Sequence, residues 1–562
     1  DAYRAQVQFA TDTKAWRASV AYWRAREHGL PGALALGGQL ATYLARVGYH
    51  LGVPYPVRRD LWYRRHTGKS YQSYYRALGA TEAASAALQA ASEPANVRKA
   101  VGPDVLFFPA QTWEASTAAQ RRLAQRFARA GHRCCWLSPQ LAMAPVGETG
   151  SAVARRLKDA MGDDEASAGA GGIEGVTLPG DGNNIAVKPV FRRSAQRHAL
   201  AALTRYCFAR DLREVICVVQ HPGWGPLVEA LRHRYGWKVI YDLVDEQEPS
   251  DARVDARLHA MLANADLTII SAPAQREWLR GQGVAAAALI AEGDALGALT
   301  ECVRQLYGRA TIIIVTYRNL ARTRLALSSV LEKTRYPNYE VVLVDNGGEP
   351  AIQHYAREMS ERFPGVVRCI FNGENLGFAG GNNVGLRAAP DSDYIVLLND
   401  DVVVTAGWLG GLLRYLDNPQ VGLVGPVTNS CGNEACIAVD YSDIAQVDDF
   451  ARRYTLAHDG ASFDIAVLAM YCLAMRQQTA AALGELDERF RMGMFEDDDY
   501  AVRAQHAGYR VVCAEDVYVH HFGRSSFGKM TEEAHARLFD ANRALFEQKW
   551  GVNWRPHKYR EG

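Results

Sequence analysis

Tyr394-Ile-Val-Leu-Leu-Asn-Asp-Asp-Val402 is an apolar run of strand length that stops on two acids. A continuous apolar stretch reads as a parallel strand buried on both faces. Asn399-Asp400-Asp401 then stands at its carboxyl end, the edge where open αβ sheets bind ligands. Hard oxygen donors there suit Mg²⁺ or Mn²⁺ bridging a diphosphate. Taken alone, the same acids also describe a solvated turn.

The pattern extends in both directions. Upstream, the apolar strand Thr311 to Val315 opens an alternation: helix 320–333, strand 340–344, helix 351–363, strand 366–371, then a Gly-rich turn with helix 376–388. Strands alternating with helices predict a doubly wound, mainly parallel αβ domain. Asp345 ends the strand Glu340 to Val344. A carboxylate there accepts the N3–H of uracil or thymine, which cytosine lacks; the plain alternative is an Asx turn into Asn346-Gly347-Gly348. Asn375-Leu-Gly-Phe-Ala-Gly-Gly-Asn-Asn-Val-Gly385 lets backbone approach a ligand, with N–H groups at a helix start for an anion. Downstream, Glu496-Asp497-Asp498-Asp499 gathers four adjacent acids, whose repulsion calls for a cation, solvent or the start of a helix near Asp498. His520-His521 ends the strand Val511 to Val519 and can complete a divalent-metal site begun by a carboxylate.

These motifs resemble, in order and spacing, the family 2 glycosyltransferases of GT-A fold, and within them the rhamnosyltransferase-like branch that builds bacterial surface polysaccharides. The matching stretches are Ile313 to Asn319, Val341 to Gly347, Asn375 to Gly385, Leu397 to Val402, Gly422 to Pro426, Leu486 to Phe490, Phe495 to Asp499 and His520 to Ser525. The resemblance covers about 310–550. It implies an inverting, metal-dependent transferase using Mg²⁺ or Mn²⁺. Asp345 would hold the pyrimidine, and Thr316, Tyr317, Arg318, Asn375, Gly377, Asn383 and Asp400 would line the nucleotide-sugar. Asp401 with His520 or His521 would bind metal, and Asp497 would be the general base, with Glu496 and Asp499 on the acceptor side. The implied donor is a dTDP- or UDP-sugar, rhamnose first. The implied acceptor is a hydroxyl of a polysaccharide or polyprenyl-linked glycan. Relatives carry Gly before the strand Leu473 to Arg476, where Met470 and Tyr471 stand here, and this departure is expected to reshape the acceptor side. Residues 522–531 would close over the site.

A second αβ unit precedes this one. Strands Val105 to Pro109, Arg133 to Leu137, Val215 to Val219, Val239 to Leu243 and Leu267 to Ile270 alternate with helices 117–130 and 225–234. A Gly/Ala/Asp/Asn-rich stretch, 163–185, reads as a long surface loop, and 297–309 as a short helical connection. Residues 101–300 resemble the Rossmann-like N-terminal half of GT-B glycosyltransferases. No second half follows, so this domain is expected to be non-catalytic, with His221, Trp224, Asp242 and Asp245 at a vestigial cleft or simply packed. Residues 1–100 read as helical. Tyr55 to Tyr75 mixes aromatics with Arg58, Arg59, Arg64 and Arg65 and is the candidate for a peripheral membrane contact.

Composition bounds these readings. The chain has 562 residues, 48% hydrophobic and 22% charged, enough for three or four domains at roughly 150 residues each. Lys+Arg 63 against Asp+Glu 62 leaves a net charge of +1, which argues against a dedicated nucleic-acid binder. Ten cysteines without a CxxC pattern read as reduced and structural, hence cytoplasmic. The start at Asp1 without Met reads as trimmed, with no secretory signal. The competing readings are a catalytically inactive glycan-binding scaffold and a bifunctional transferase, with oligomerisation open.

Overall fold

The computed structural model describes residues 94–143, 168–169, 173–180, 184–185, 193–243, 252–270, 273–281, 283–284, 287–289, 296–523 and 531–560. The helical N-terminal reading with Tyr55 to Tyr75 therefore lies outside the described residues, except 94–100, which are turn and irregular chain. Asp245 and most of the expected closing segment, 524–530, also lie outside them.

The first sheet has eight strands: β1 (Asp104–Phe108), β2 (Cys134–Leu137), β3 (Ala168–Gly169), β4 (Ile173–Val176), β5 (Val215–Val219), β6 (Lys238–Leu243), β7 (Leu267–Ile270) and β8 (Ala287–Leu289), in the order β8-β7-β6-β5-β1-β2-β4-β3. All neighbours are parallel except β3 with β4. The expected loop over 163–185 is thus corrected. Ile173 is buried, and β4 pairs with β2 from Cys134↔Ile173 onward. A single buried apolar residue beside glycines is too weak a signal to read as a strand. The connecting helices are α1 (Ala118–Arg129), α2 (Arg193–Ala209), α3 (Gly225–Tyr235), α4 (Ala252–Asn264) and α5 (Pro273–Gly281), with α6 (Leu296–Gln305) leading out. Thr117 and Gln120 close a capping box that starts α1. Helices α2, α4 and α5 are additions to the reading of the sequence.

The second sheet has nine strands: β9 (Ala310–Thr316), β10 (Tyr339–Asp345), β11 (Val367–Phe371), β12 (Tyr394–Asn399), β13 (Val402–Val404), β14 (Val421–Thr428), β15 (Ser462–Asp464), β16 (Cys472–Arg476) and β17 (Arg510–His521). Their order is β11-β10-β9-β12-β16-β14-β17-β13, with β15 on β17. β11, β10, β9 and β12 run parallel, as the alternation predicts, and β16 pairs antiparallel to β12. The helices are α7 (Leu320–Lys333), α8 (Pro350–Arg362), α9 (Gly377–Arg387), α10 (Trp408–Leu413), α11 (Val447–Ala457), α12 (Gln477–Leu483), α13 (Glu496–His506) and α14 (Glu532–Trp550). The helix that carries the acid run starts at Glu496, two residues before the expected Asp498, with all four acids in the first turn of α13. Among the described residues no helix is long and apolar enough to cross a membrane.

Both sheets fall in one unit of mutual contacts, residues 87–437 with 447–562. One buried cluster takes Val105, Phe107, Trp136 and Ile216 from the first sheet and Ile312, Val341, Val396 and Val424 from the second. Charged groups fasten the seam. Asp104, 1% exposed, pairs with Arg133 at 2.6 Å and with Arg335 at 3.3 Å. Arg452 meets Asp211 at 2.7 Å. Glu214 Oε1 accepts the N–H of Gly410 at 2.8 Å, and burial pushes the Glu214 carboxyl up to about 7. Gly407, at φ +74°, admits Arg213 so closely that a Cβ there would lie 2.3 Å from the Arg213 Cβ. Gly407→Ala is expected to lower unfolding free energy by about 1–3 kcal/mol in urea titration. Gly460→Ala, whose φ is also positive but whose Cβ would meet open space, should cost less; equal losses would mean the seam plays no part.

Candidate active site

The carboxyl ends of β10, β9 and β12 lie side by side, so Asp345, Thr316 and Asn399-Asp400-Asp401 meet at one edge. Asp345 is fully buried. Its Oδ1 accepts the N–H groups of Gly347 at 3.0 Å and Gly348 at 3.2 Å, so the Asx turn is real. Its Oδ2 is buried with no hydrogen-bond partner. A buried carboxylate oxygen without a donor is costly, and it marks a place for an N–H from outside the chain.

Asp400 is buried and points back into the protein. Its carboxylate accepts from Thr316, the Tyr317 N–H and Thr323. Burial and the neighbouring Asp401 nonetheless push the Asp400 carboxyl up to about 7. It therefore shapes the turn 316–319, in which Arg318 adopts φ +51° and lies exposed. Gly347 lies so near that a Cβ there would be 3.2 Å from the Arg318 nitrogen. Thr323, unread in the sequence, bonds Thr316 at 2.6 Å and caps this arrangement from α7.

His521 Nε2 stands 3.3 Å from Asp401 Oδ1, and its Nδ1 lies 2.7 Å from the Ser430 carbonyl. Burial alone would lower the His521 pKa, but Asp401 and the Ser430 carbonyl raise it. With Nδ1–H donated to Ser430, Nε2 facing a carboxylate must carry a proton or share a cation with it. Two donors cis on one ion stand about 3 Å apart, so the pair fits a divalent metal. Among the described residues no three His, Cys, Asp or Glu groups gather into a metal cage. The two histidines are now distinguished. Successive strand residues face opposite ways; His520 is fully buried, packs edge-on to Phe522 at 4.5 Å, and is pushed down to about 3 by burial, His521 and Arg322. Of the two histidines expected at the metal, His521 is the one that faces Asp401.

Tyr471 also takes a different part from the one expected. Its ring stacks on His521 at 5.1 Å and 19°, and its hydroxyl donates to the Pro426 carbonyl. At 3% exposure it backs the imidazole and presents nothing to an acceptor.

The glycine-rich segment packs before it binds. A Cβ on Gly381 would lie 2.6 Å from Val315 Cγ1, and one on Gly385 2.3 Å from Ile313 Cγ2. Gly377, at φ +76°, would place a Cβ 2.1 Å from the Arg491 carbonyl oxygen. Asn383 is fully buried and bonds the Leu486 N–H at 2.8 Å, the Leu486 carbonyl at 2.9 Å and Glu488 at 2.9 Å. Gly377 and Asn383 are therefore corrected from donor contacts to backbone joints. Asn375 stays exposed at the edge, with its Oδ1 accepting from Asn346 and the Gly377 N–H. Asn346 is the organiser missed in sequence. It donates to Asn375 at 3.1 Å and the Gly377 carbonyl at 2.9 Å, and accepts from Asn372 at 3.0 Å and the Leu376 N–H at 3.1 Å.

The four acids have four different environments. Asp499 is fully buried against Lys549 at 2.6 Å, Arg503 at 3.0 Å and the Trp550 indole at 3.0 Å, so it is not an acceptor-side group. Asp498 accepts the Trp554 indole N–H at 2.9 Å and pairs with His557 at 3.2 Å. Glu496 is buried, with Oε2 unbonded and its carboxyl pushed well up by burial and then by Asp497. Asp497 alone is half-exposed, and burial followed by the charge of Asp498 pushes it up to about 7, against His557. The turn before them is strained: Arg491, Met494 and Phe495 hold φ of 52°, 78° and 74°. Each costs about 1–3 kcal/mol, of the kind found at functional sites.

In the first domain, the expected cleft residues are wired inward. Trp224 is fully buried and donates to the Pro109 carbonyl at 2.8 Å, Gln220 donates to Asp242 at 2.8 Å, and His221 Nδ1 accepts the Gly223 N–H at 3.1 Å.

Because the Tyr471 ring backs His521, Tyr471→Ala is expected to weaken Mn²⁺ binding about tenfold or more by calorimetry. Tyr471→Phe keeps the ring and should lose less. Equal affinity in all three proteins would separate the stack from the metal.

Part of this chain is similar to each of three known proteins. "Uncharacterized protein Rv1525" of Mycobacterium tuberculosis is 31% identical over 33% of this chain and 65% of its own length. "O-antigen biosynthesis protein RfbC" of Myxococcus xanthus is 25% identical over 42% of this chain and 19% of its own. "Pre-mycofactocin glycosyltransferase" of M. tuberculosis is 27% identical over 36% and 40%. The chain thus spans between 19% and 65% of these relatives. The family model described as "Glycosyl transferase family 2" matches residues 311–472, and this part of the chain is similar to that family.

Proposed function

We propose that residues 310–550 transfer a sugar from a dTDP- or UDP-sugar to a hydroxyl of a surface polysaccharide or lipid-linked glycan, with inversion. The observation that carries this is the unbonded, buried Oδ2 of Asp345 at the same sheet edge as the Asp401–His521 pair. One accepts the N3–H of uracil or thymine, and the other suits a metal-bound diphosphate. The turn 316–318, shaped by Asp400, and the exposed Asn375 flank that donor.

A divalent ion held by Asp401 and His521 would neutralise charge building on the departing diphosphate. Asp497, the one acid of its cluster left half-exposed, takes the acceptor proton as the hydroxyl oxygen attacks the anomeric carbon. The bond from that carbon to the diphosphate oxygen breaks on the opposite face, which inverts the centre. Asp498 and Asp499 are committed to the C-terminal segment and leave the base role to Asp497. The first αβ domain acts as a non-catalytic platform, since its would-be cleft residues are bonded inward. The relative named for O-antigen biosynthesis supports a polysaccharide acceptor, and rhamnose is the first donor sugar to try.

Nucleotide release from a panel of UDP-, dTDP- and GDP-sugars, with Mn²⁺ or Mg²⁺, tests the reading. Turnover of one UDP- or dTDP-sugar is expected, reduced about 10²–10⁴-fold in Asp497→Asn and lost in Asp401→Ala. No binding of UDP or dTDP by calorimetry would sink it in favour of a scaffold. Asp497 must be ionised to act and faces Glu496, Asp498 and His557. Its raised pKa therefore puts the acid limb of kcat near pH 7, with activity falling below it. A limb near pH 4 would place the base elsewhere.

A further inference from the structure

The strained turn before Asp497 has local bonds, from the Arg491 N–H to the Glu488 carbonyl at 3.0 Å and from the Gly493 N–H to the Phe490 carbonyl at 3.3 Å, and it is held as well from a distant helix. Asn542, on α14, is 5% exposed, and its Nδ2 faces the carbonyl oxygens of Phe490 at 3.0 Å, Gly493 at 2.9 Å and Met494 at 3.1 Å. An amide nitrogen has two hydrogens for these three acceptors, so at least one bond is shared. The carbonyls converge on one point because Arg491, Gly493, Met494 and Phe495 all hold positive φ. Around that point, the Phe495 ring packs against Phe539 at 5.1 Å, Phe546 at 5.7 Å and Trp554 at 5.3 Å. Lys549 reaches both Asp487 at 2.7 Å and Asp499 at 2.6 Å. The same turn is bonded to the donor side, where the Phe378 N–H donates to the Arg491 carbonyl at 3.1 Å. The stretch matched by the family model ends at residue 472, well before α14.

We infer that Asn542 is a positioning residue: from α14 it clamps the left-handed turn 490–495 and so aims the Asp497 carboxylate at the acceptor. This rests on Asp497 being the base. The strain makes the clamp necessary. Without a donor at 542, the Gly493 and Met494 carbonyls lose this partner, the Phe490 carbonyl keeps only the Gly493 N–H at 3.3 Å, and the non-glycine residues can relax to ordinary φ. A shift of about 1 Å in a reacting group can cost about 10²-fold in rate. The donor edge, built on β9, β10 and β12, does not depend on Asn542.

The test uses the full chain with Asn542→Ala, which removes the donors, and Asn542→Asp, which sets an oxygen against the carbonyls. Amide hydrogen exchange over 490–497 is expected to rise about tenfold or more, with β9, β10 and β12 unchanged. UDP and dTDP affinity by calorimetry should stay within about twofold, while kcat falls about hundredfold and KM for the donor sugar holds. Unchanged exchange over 490–497 would overturn the inference. So would faster exchange across the whole domain with nucleotide affinity lost in step, which is the mark of general destabilisation. If Asn542→Asp does not fold, the alanine variant decides alone. Should the wild type bind neither nucleotide, the transferase reading fails, and exchange over 490–497 still decides whether the clamp exists.

Discussion

The approach of α9 to β9 is the constraint on which the rest of the candidate site depends. With methyls at 381 and 385 the helix would run into Val315 and Ile313, so it lies where only glycine permits. That depth places Gly377 under the Arg491 carbonyl and Asn383 against Leu486. One helix thereby ties the donor edge to the segment that leads into Asp497. Close packing of this kind transmits position because interiors have little free volume to absorb a shift.

The two αβ domains behave as one body for the same reason. Their apolar residues share a cluster, and at the seam Asp104 meets Arg335, Arg213 donates to the Thr455 hydroxyl and Glu214 accepts the Gly410 N–H. Removing one member of such a set leaves a charge stranded, so the domains are held in register even though buried pairs add little net stability. A sheet whose own cleft residues are bonded inward thus contributes rigidity to its neighbour.

Much of this was legible in sequence. The parallel strands β9, β10, β11 and β12 are continuous apolar runs, and such runs have few alternatives to burial in a sheet. Asp345 and Asp401 were readable because a carboxylate directly after such a strand must emerge at the ligand edge. Other readings failed for physical reasons. The glycines near 380 looked like a ligand cradle, but close packing against a sheet requires glycine just as strictly. Asn383 and Asp499 carry polar groups like their neighbours, yet helical geometry turns them inward, to Leu486 and Lys549. Asn346 and Asn542 gave no signal, since an isolated asparagine says nothing of which carbonyls will converge on it.

By itself, the sequence determined the class of the two domains, the alternation of strands and helices in their parallel halves and the identity of the acids at the carboxyl edge, because these follow from local periodicity and chain direction. Only the tertiary structure separated His521 from His520, gave Tyr471 its place behind the imidazole, and left Asp497 half-exposed while Glu496, Asp498 and Asp499 were buried. Those outcomes depend on which residue from a distant segment comes within hydrogen-bond range, and spacing along the chain carries no record of it.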